Sequence, residues 1–292
     1  MKNTTAVFSV FYPGVERYIP EFLDSLSKQT SKDFTFFLLN AGLFDIGRFL
    51  ERIDFTVRIL EEDGHPAKLR KTGIQWIISE GAKAIIFADA DDYFADNRIE
   101  ISKKMLTGND MTFNEIILVG EGLLQPVPML GKALEDKAEI DKNYLISGNC
   151  MGLSNSGIKV DKISNLMPEI PDDVIAFDWD FFSFCLHDGA KAIFTKETET
   201  YYRQHDNNTA SPQDFSEEQI MRGVKVKRSH YRLLSRFYKE YVSFANLFEG
   251  LFFRLRNDRI LKEKYCQAVK HQRLLSTGRW WEPIKSLEEL GL

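Results

Sequence analysis

The chain has 292 residues, of which 43% are hydrophobic, 28% are charged and only 9 are prolines. This composition excludes a disordered or fibrous protein, and the length allows one large α/β domain with an appendage or two ordinary domains. The formal net charge of -5 hides an asymmetry, because there are 16 basic and 9 acidic residues from Phe215 onward but 22 basic and 34 acidic residues before it. The acidic N-terminal part argues against a nucleic-acid-binding protein.

The cysteines and the N-terminal segment indicate a cellular location. Three cysteines, an odd number at wide spacing and without a CxxC pair, predict reduced and buried thiols in a cytoplasmic protein. The first apolar run is short and soon meets Pro13 and Gly14, so it predicts a β-strand rather than a signal peptide. No run approaches the roughly 18 to 20 apolar residues needed to cross a bilayer.

Continuous apolar runs in the first 90 residues predict strands that are buried on both faces of a parallel sheet. These runs are Ala6–Phe11, Phe34–Leu39, Thr56–Leu60 and Ala84–Ala88. A helical pattern follows the first run, and a second one occupies Ala67–Glu80, with Gly81 as its stop. Strands and helices that alternate in this way predict an α/β fold with a mostly parallel sheet flanked by helices, whose ligands bind at the carboxyl ends of the strands.

The second half of the chain mixes strand and helix patterns. Met111–Met129 is strand-like, and Phe177–His187 predicts an aromatic helix closed by Gly189. Beyond Phe215 the pattern is helical. We therefore predict an α/β domain over residues 1–214 and a helical C-terminal extension over residues 215–292.

An apolar helical stripe in the extension lies beside three arginines, Arg254, Arg256 and Arg259. The stripe consists of Phe244, Leu247, Phe248, Leu251, Phe252 and Leu255. A basic amphipathic helix of this kind could lie on an anionic membrane surface or pack on its own domain. We expect packing, which is the commoner outcome for such a stripe.

An acidic loop follows the fourth predicted strand. It contains Asp89, Asp91 and Asp92, whose carboxylates would repel one another at a buried strand end, so a positive group should lie among them. Carboxylate oxygens suit Mg²⁺ or Mn²⁺, which proteins bind together with substrate phosphates and water. The alternative is a solvated turn that caps the next helix through Asp96.

The segment FADADDYF, Phe87 to Phe94, resembles the DxD loop of family-2 glycosyltransferases, which have the GT-A fold. Five further segments resemble this family in order and spacing. VFSVFYPGVERYIPEFLDSLSKQT resembles its first strand and helix, GHPAKLRKTGI resembles the stretch before the DxD strand, and SGNCMG resembles its acceptor-side strand. FDWDFFSFCLHDGA resembles the helix of its catalytic Asp, and ETYYRQHDNNT resembles its closing YRxH segment. The resemblance covers Thr5 to Ala210 and leaves out the extension.

The resemblance implies that Asp89 contacts the donor's ribose and that Asp91 ligates the Mn²⁺ or Mg²⁺ ion that bridges two phosphates, with His205 as a further metal contact. It implies nucleotide-sugar binding by Phe11, Tyr12, Asn40, Arg70, Asp89, Ala90, Asp91 and Arg203. The two arginines could pair with phosphate or serve as salt-bridge partners. Asp92 would support the metal ligands or cap the next helix.

By the same resemblance, Asp178 is the general base that takes the proton of the acceptor hydroxyl, and the reaction inverts the anomeric carbon. Asp178 and Asp180 lie about 200° apart on a helix, so only one of them can face the site. The alternative is that Asp178 only interacts with the helix dipole.

Two positions depart from the family pattern. Asn40 stands where the family commonly has an aspartate that reads uracil, and Phe177 stands where it has a glutamate before the catalytic aspartate. The prediction is a hexosyl- or N-acetylhexosaminyltransferase that uses a UDP-sugar and a saccharide or lipid-linked acceptor for surface polysaccharide, in the cytoplasm or at the inner face of the cell membrane. The alternatives are a degenerate sugar-nucleotide-binding protein and a nucleotidyltransferase, for which YPGVERY is a weak phosphate loop.

Overall fold

A computed structural model describes residues 4–51, 53–120, 125–205, 216–273, 280, 287 and 288. In this part of the chain the strands are β1 (Thr5–Phe11), β2 (Thr35–Asn40), β3 (Thr56–Glu61), β4 (Ala84–Phe87), β5 (Tyr93–Phe94), β6 (Met111–Gly120), β7 (Val127–Pro128), β8 (Glu139–Ile140), β9 (Ser156–Lys159) and β10 (Ala192–Gln204). The helices are α1 (Ile19–Ser27), α2 (Gly47–Leu50), α3 (Pro66–Ser79), α4 (Arg98–Gly108), α5 (Lys142–Ile146), α6 (Phe177–His187), α7 (Glu217–Leu234), α8 (Val242–Asn257) and α9 (Arg259–Arg273). Short 3₁₀ helices lie at Val160–Lys162, Met167–Glu169 and Lys239–Tyr241.

The strands form one sheet in the order β3-β2-β1-β4-β9-β6-β10-β5. The first four strands of this order are parallel. Strand β9 is antiparallel to both β4 and β6, β6 and β10 are parallel, and β5 is antiparallel to β10. The predicted α/β fold with a sheet flanked by helices is confirmed; its parallel pairing covers the four strands that the apolar runs predicted, and its other half is mixed.

Hydrophobic cores lie on both faces of the sheet. Along β1, Val7 and Phe11 pack into the core that contains the apolar side of α1, whereas Ala6 and Phe8 pack into the core that contains the apolar side of α3. This two-sided burial is the reason that β1, β2 and β4 read as continuous apolar runs rather than as alternating ones. The prediction of two-sided burial is wrong for β3, which lies at the edge of the sheet and has no buried residue. Two-sided burial also leaves the carboxyl ends of β1, β2 and β4 as the edge where polar side chains can gather.

Gly73 lets α3 approach β1 closely. A Cβ atom at this position would lie 2.1 Å from Cζ of Phe8, a buried ring that packs edge-on against Phe87. We expect Gly73→Ala to lower the free energy of unfolding by about 1–3 kcal/mol through overpacking, although alanine is the better helix former. Urea denaturation would measure this, with Gly108→Ala in open space on α4 as the control. Equal effects of the two substitutions would contradict the close approach.

The helices beyond Phe215 pack onto α6. Nδ1 of His230 on α7 lies 2.6 Å from Oδ1 of Asp180, and the His230 ring stacks on Trp179 at a centroid distance of 3.9 Å. The Tyr231 hydroxyl donates to the Ile146 carbonyl at 2.7 Å. The predicted boundary between residues 214 and 215 lies outside the described residues, so the division into a domain and an extension stays a prediction.

The apolar stripe of α8 mainly faces inward. Its residues Phe248, Leu251, Phe252 and Leu255 are buried, whereas Leu247 is 40% exposed. Packing, rather than membrane contact, is therefore the confirmed environment of those four side chains. The predicted burial of the cysteines is confirmed at all three positions. Among the described residues, no helix combines the length and the apolar character that crossing a bilayer requires.

Candidate active site

The acidic loop leaves the sheet at the carboxyl edge of the parallel strands, two residues after the end of β4. The Asp92 N–H donates to the Asp89 carbonyl at 3.2 Å, so the loop is a tight turn. Tyr12 directly follows β1, the next strand in the sheet. From α3, Arg70 places Nη2 3.8 Å from Oδ1 of Asp89. The alternating pattern of strands and helices thus brings residues from three segments to the edge where the sequence predicted a ligand.

The electrostatics of this loop are unfavourable for its carboxylates. Burial raises the pKa of Asp89 to about 6, and the neighbouring Asp91 adds to the rise, whereas Arg70 opposes it. The Asp89 side chain is still 35% accessible, so it lies deep in an open cleft rather than in the core. Burial and the nearby carboxylates also raise the pKa of the Tyr12 hydroxyl. The loop therefore concentrates negative potential that a cation would relieve.

Asp91 and His205 form a pair at the outer side of the loop. Oδ2 of Asp91 lies 3.0 Å from Nε2 of His205, and only 16% and 9% of the two side chains are exposed. The His205 ring stacks on Tyr18 at a centroid distance of 5.1 Å, which fixes the orientation of its nitrogens. The two residues that the resemblance implies as metal contacts therefore lie side by side, 114 positions apart in the sequence.

The pair fits the coordination of a divalent cation. Adjacent ligands in an octahedron with bonds of about 2.1 Å lie about 3.0 Å apart, which is the separation of the two donor atoms. No group of three or more histidine, cysteine or acidic side chains that could hold a metal exists among the described residues. A cation held by one carboxylate and one imidazole would thus draw its other ligands from phosphate oxygens and water, as Mg²⁺ commonly does.

Asp92 holds the acidic loop in place through hydrogen bonds to other segments. It is fully buried, accepts a hydrogen bond from the Ser154 hydroxyl, and accepts another from the Arg203 backbone N–H at 2.9 Å. Burial raises its pKa well above the usual range. The capping alternatives are wrong, because the residue that caps α4 is Asn97, not Asp92 or Asp96, and its side chain makes no capping hydrogen bond.

Arg98 is a second positive group near the crowded carboxylates, besides Arg70, and was not predicted from the sequence. Arg98 is 1% exposed, donates from Nη2 to the Phe87 carbonyl at 2.6 Å and lies 4.3 Å from the centre of the Phe94 ring. Burial lowers its pKa to about 9, and the charges of Asp92 and Asp89 oppose that change. A sequence signal existed, because Arg98 shares the buried side of α4 with Ser102 and Met105 at helical spacing.

Arg203 is a structural partner of the loop. Its Nε donates to the Asp91 carbonyl at 2.8 Å, and its Nη2 donates to Glu21 at 2.6 Å. The guanidinium also lies over the rings of Tyr18 and Tyr93. Arg203 therefore forms the ion pair that one of its two predictions describes and holds the loop; its pairing with a donor phosphate stays a prediction.

Three residues implied in donor binding direct their side chains elsewhere. Phe11 is fully buried against Phe22 and Phe36, and Ala90 is 1% exposed in the same core, so each could offer only backbone atoms. The Asn40 amide donates to the Leu43 carbonyl and to Glu61, and its Oδ1 accepts from the Leu43 N–H. These bonds close the turn after β2.

Asp178 lies on the first turn of α6, close enough to Arg70 and Asp89 for their charges to act on its pKa. The Asn149 amide donates to its Oδ2 at 2.8 Å, and the Trp179 N–H donates to its Oδ1 at 2.9 Å. Burial raises the pKa of Asp178 to about 7; the two hydrogen bonds and Arg70 oppose the rise, and the Asp89 charge adds to it. A carboxyl with a pKa near neutrality can accept a proton at physiological pH and hold it only weakly.

The neighbours of Asp178 on α6 point away from the cleft. Asp180 pairs with His230 on the opposite side of the helix, so only one aspartate faces the site, as predicted. Phe177 is 2% exposed and stacks on Phe181 at 5.6 Å. The departure at Phe177 is therefore a core residue, and in this fold it removes no carboxylate from the cleft.

Asn149 is a site residue that the sequence analysis placed wrongly. The segment SGNCMG forms a loop before β9 rather than the strand implied by the resemblance. Asn149 is fully buried, its Oδ1 accepts from the Met151 N–H at 3.0 Å, and its carbonyl accepts from the Trp280 N–H at 3.1 Å. Its side chain is thereby held with the amide N–H aimed at Asp178, and the C-terminal part of the chain contributes to this support.

Three solved structures with the same architecture are glycosyltransferases. The first 349 residues of S. aureus TarS match with a TM-score of 0.59 and 15% identity, over 93% of this chain and 80% of that one. The chain has a GT-A fold. GalNAc-T7 with UDP, GalNAc and Mn²⁺ matches with a TM-score of 0.59 and 12% identity, over 99% of this chain and 53% of that one.

A third match is the mannosyltransferase PcManGT from Pyrobaculum calidifontis in complex with GDP-Man and Mn²⁺, with a TM-score of 0.58 and 14% identity over 94% of this chain and 75% of that one. Neither a family model nor a curated protein sequence matches the chain. At these identities the likeness establishes the fold, and the chemistry must be argued from the site.

Proposed function

We propose that this GT-A protein is a metal-dependent inverting glycosyltransferase that moves a hexosyl or N-acetylhexosaminyl group from a UDP-sugar to a saccharide or lipid-linked acceptor. The observation that carries the proposal is the site geometry: the Asp91–His205 pair and the Asp178 carboxyl both border the cleft that contains Asp89 and Arg70. TarS structures with UDP and with UDP-GlcNAc, and PcManGT with GDP-Man, support a nucleotide-sugar donor.

At the donor side, Asp91 and His205 would hold Mn²⁺ or Mg²⁺, and the cation would stabilise the diphosphate leaving group as it gains negative charge. Asp89 would accept hydrogen bonds from the ribose hydroxyls of the donor. Arg70 lies beside Asp89 with 28% of its side chain exposed, so its guanidinium can pair with a phosphate oxygen. Arg203 and Asp92 keep the loop in place.

At the acceptor side, Asp178 accepts the proton of the acceptor hydroxyl. As this oxygen forms its bond to the anomeric carbon, the bond between that carbon and the diphosphate oxygen breaks and the electron pair leaves with the nucleotide. Asn149 and the Trp179 N–H hold the carboxylate in one orientation. Attack from the face opposite the nucleotide inverts the anomeric configuration.

The second candidate is a protein of the same fold that binds the sugar nucleotide without turnover. It was suggested by the departures at Phe177 and Asn40, but the first is a core residue and the second closes a turn. The side chain at position 177 faces the core, so that departure removes no carboxylate from the cleft, which favours an active enzyme. Formation of a glycosylated product separates the two candidates.

The cellular setting follows from the proposed substrates. A cytoplasmic enzyme that builds surface polysaccharide would meet a lipid-linked acceptor at the inner face of the membrane. Peripheral contact there would use the exposed side chains Phe253 and Ile260 beside Arg256 and Arg259, because most of the α8 stripe is buried. Flotation with anionic vesicles would detect such contact.

Calorimetric titration of the protein with UDP, GDP and several UDP-sugars, with Mn²⁺ and with chelator, tests the proposed function. We expect a uridine nucleotide to bind with Mn²⁺ and to lose at least about tenfold in affinity with chelator. Asp91→Ala should bind no better with Mn²⁺ than wild type does without it, because it removes one of two protein ligands. Glu100→Ala, a carboxylate outside the cleft, is the control and should leave the titration unchanged.

The outcomes of this titration divide the possibilities. Binding that requires Mn²⁺ and Asp91 would locate the donor site and identify its base. If no nucleotide binds under any condition, the transferase proposal fails. If binding occurs but no donor and acceptor combination yields product, the non-catalytic candidate stands instead.

A further inference from the structure

A cavity of about 520 Å³ lies outside the donor cleft, on the solvent side of α7. Its volume is within the range of 300–1,000 Å³ that is usual for small-molecule sites. Its polar lining consists of Lys225, Arg228, Ser229, Arg232 and Arg236, and Pro171 lies among them. The four cations repeat at intervals of three or four residues, so they form one basic stripe along the helix.

The charges of this stripe are only partly neutralised. Arg228 makes a bidentate pair with Glu249, and Arg236 lies 3.3 Å from Glu169. Lys225 and Arg232 are exposed, and among the described residues neither forms an ion pair. Like charges at this spacing repel one another, so the stripe costs stability unless an anion binds there. Two cations are thus available to a ligand within an already positive cavity.

A short segment of the chain joins the lining of the cavity to Asp178. Pro171 precedes Asp178 by seven residues, and a chain of that length spans at most about 25 Å when fully extended. The intervening segment is fixed to α3, because Lys71 Nζ donates to the Ile170 carbonyl at 2.7 Å and pairs with Asp172 at 2.5 Å. Lys71 follows Arg70, whose side chain lies in the cleft. Pro171 and Asp178 are therefore no more than about 25 Å apart, a length that an oligomeric acceptor can span.

We propose that this cavity binds a phosphate group of the acceptor, so that the enzyme glycosylates a phosphate-bearing saccharide. The proposal rests on the proposed transferase function, because an acceptor exists only if transfer occurs. Arginine guanidinium groups match phosphate oxygens in geometry, and lysine adds a point charge. The seated phosphate holds the distal part of the acceptor while its hydroxyl lies at Asp178.

The binding test uses inorganic tripolyphosphate in low salt with chelator, a condition that does not require the metal pair. Wild type and Asp91→Ala should bind it equally. The double variant Lys225→Gln/Arg232→Gln should bind at least about tenfold more weakly, because it removes two charge-assisted contacts. The control Arg254→Gln/Lys264→Gln removes the same charge from exposed positions on α8 and α9 and should stay within twofold of wild type.

Absence of tripolyphosphate binding to wild type, or equal loss in both double variants, would overturn the proposal. Titration of the Lys225→Gln/Arg232→Gln protein with nucleotide and Mn²⁺ should match wild type, which shows that it is folded. Failure of nucleotide binding in wild type would instead defeat the transferase proposal, whatever tripolyphosphate does. The two failures are therefore distinguishable.

An acceptor assay then identifies the source of the phosphate. With a phosphorylated oligosaccharide as acceptor, the Lys225→Gln/Arg232→Gln protein should have a KM at least about tenfold higher than that of wild type and an unchanged kcat. With the dephosphorylated oligosaccharide, the two proteins should have the same high KM. Vesicles with 30% anionic phospholipid form the second arm: loss of vesicle binding in the cavity variant assigns the phosphate to a lipid-linked acceptor, and retained binding assigns it to a soluble one. Equal KM values of the two proteins for the phosphorylated form would contradict the proposal.

Discussion

Asp178→Asn is expected to reduce the turnover of sugar transfer by about 10²–10⁴-fold and to leave nucleotide affinity within about twofold. General-base catalysis contributes rate factors of this size, and an asparagine amide cannot accept the proton of the acceptor hydroxyl. Nucleotide binding should persist because the metal pair, Asp91 and His205, belongs to other segments. Steady-state kinetics with donor and acceptor would measure the first quantity and calorimetry the second.

The pH dependence gives this expectation a second readout. Because burial raises the pKa of Asp178 to about 7, the wild-type rate should rise with pH through about 7 and level off above it, where the carboxylate is ionised. Asn149 donates a hydrogen bond that lowers this pKa. Asn149→Ala should therefore move the rise to higher pH, by on the order of one unit, and Asp178→Asn should abolish the rise.

Stability measurements separate loss of catalysis from loss of folding. The folded-state pKa of Asp178 lies above that of an unfolded aspartate, so its ionisation opposes folding at pH 8 and contributes nothing below about pH 4. Asp178→Asn should thus unfold at a higher temperature than wild type at pH 8. Asp180→Asn breaks the buried pair with His230 and should instead lower that temperature. A normal rate in Asp178→Asn would exclude it as the base.

Arg98→Met is expected to lower the free energy of unfolding by about 3–5 kcal/mol at pH 7. Methionine has a side chain of similar length but no charge. The substitution therefore leaves the buried Asp92 without the positive charge beside it, and an uncompensated buried charge destabilises the folded protein strongly. It also removes the donor to the Phe87 carbonyl at 2.6 Å. Because protonation of Asp92 and Asp89 relieves the cost, the difference from wild type should shrink as the pH falls to 5.

Urea denaturation at both pH values would measure this effect. The matched control is Arg259→Met, since the Arg259 side chain is 87% exposed and its ion pair with Glu263 lies within one helical turn. Such a pair contributes about 0.5 kcal/mol or less. Equal urea midpoints for Arg98→Met and wild type would show that Arg98 does not compensate the acidic loop.

Local patterns in the sequence were sufficient for the parallel half of the fold. The apolar runs that became β1, β2, β3 and β4 lie within two residues of the predicted positions. Two-sided burial explains the runs of β1, β2 and β4, whereas the edge strand β3 is exposed or half-buried along its length. Gly81, with φ of +80°, ends α3 as predicted, since few other residues adopt that conformation. The acidic loop was located for the same reason: it directly follows one of these strands.

The mixed half could not be derived from such patterns. Strand β9 inserts antiparallel between β4 and β6, and nothing in its four residues specifies those partners. Likewise, the sequence indicates that Phe177 and Asp178 lie on a helix, but not which of them faces the cleft. That orientation is set by the aromatic core around Phe181 and by the pairing of Asp180 with α7.

By itself, the sequence determined the fold class, the place of the acidic loop and the residue types that could bind a cation and accept a proton. Only the tertiary structure decided which of these polar groups can contact a ligand and which are held by other residues, because each one's partner comes from a distant segment. Arg203 holds the Asp91 carbonyl across 112 positions, and Asn149 orients Asp178 across 29. Periodicity records which side of an element is buried, whereas the identity of the neighbour is fixed only when the elements pack.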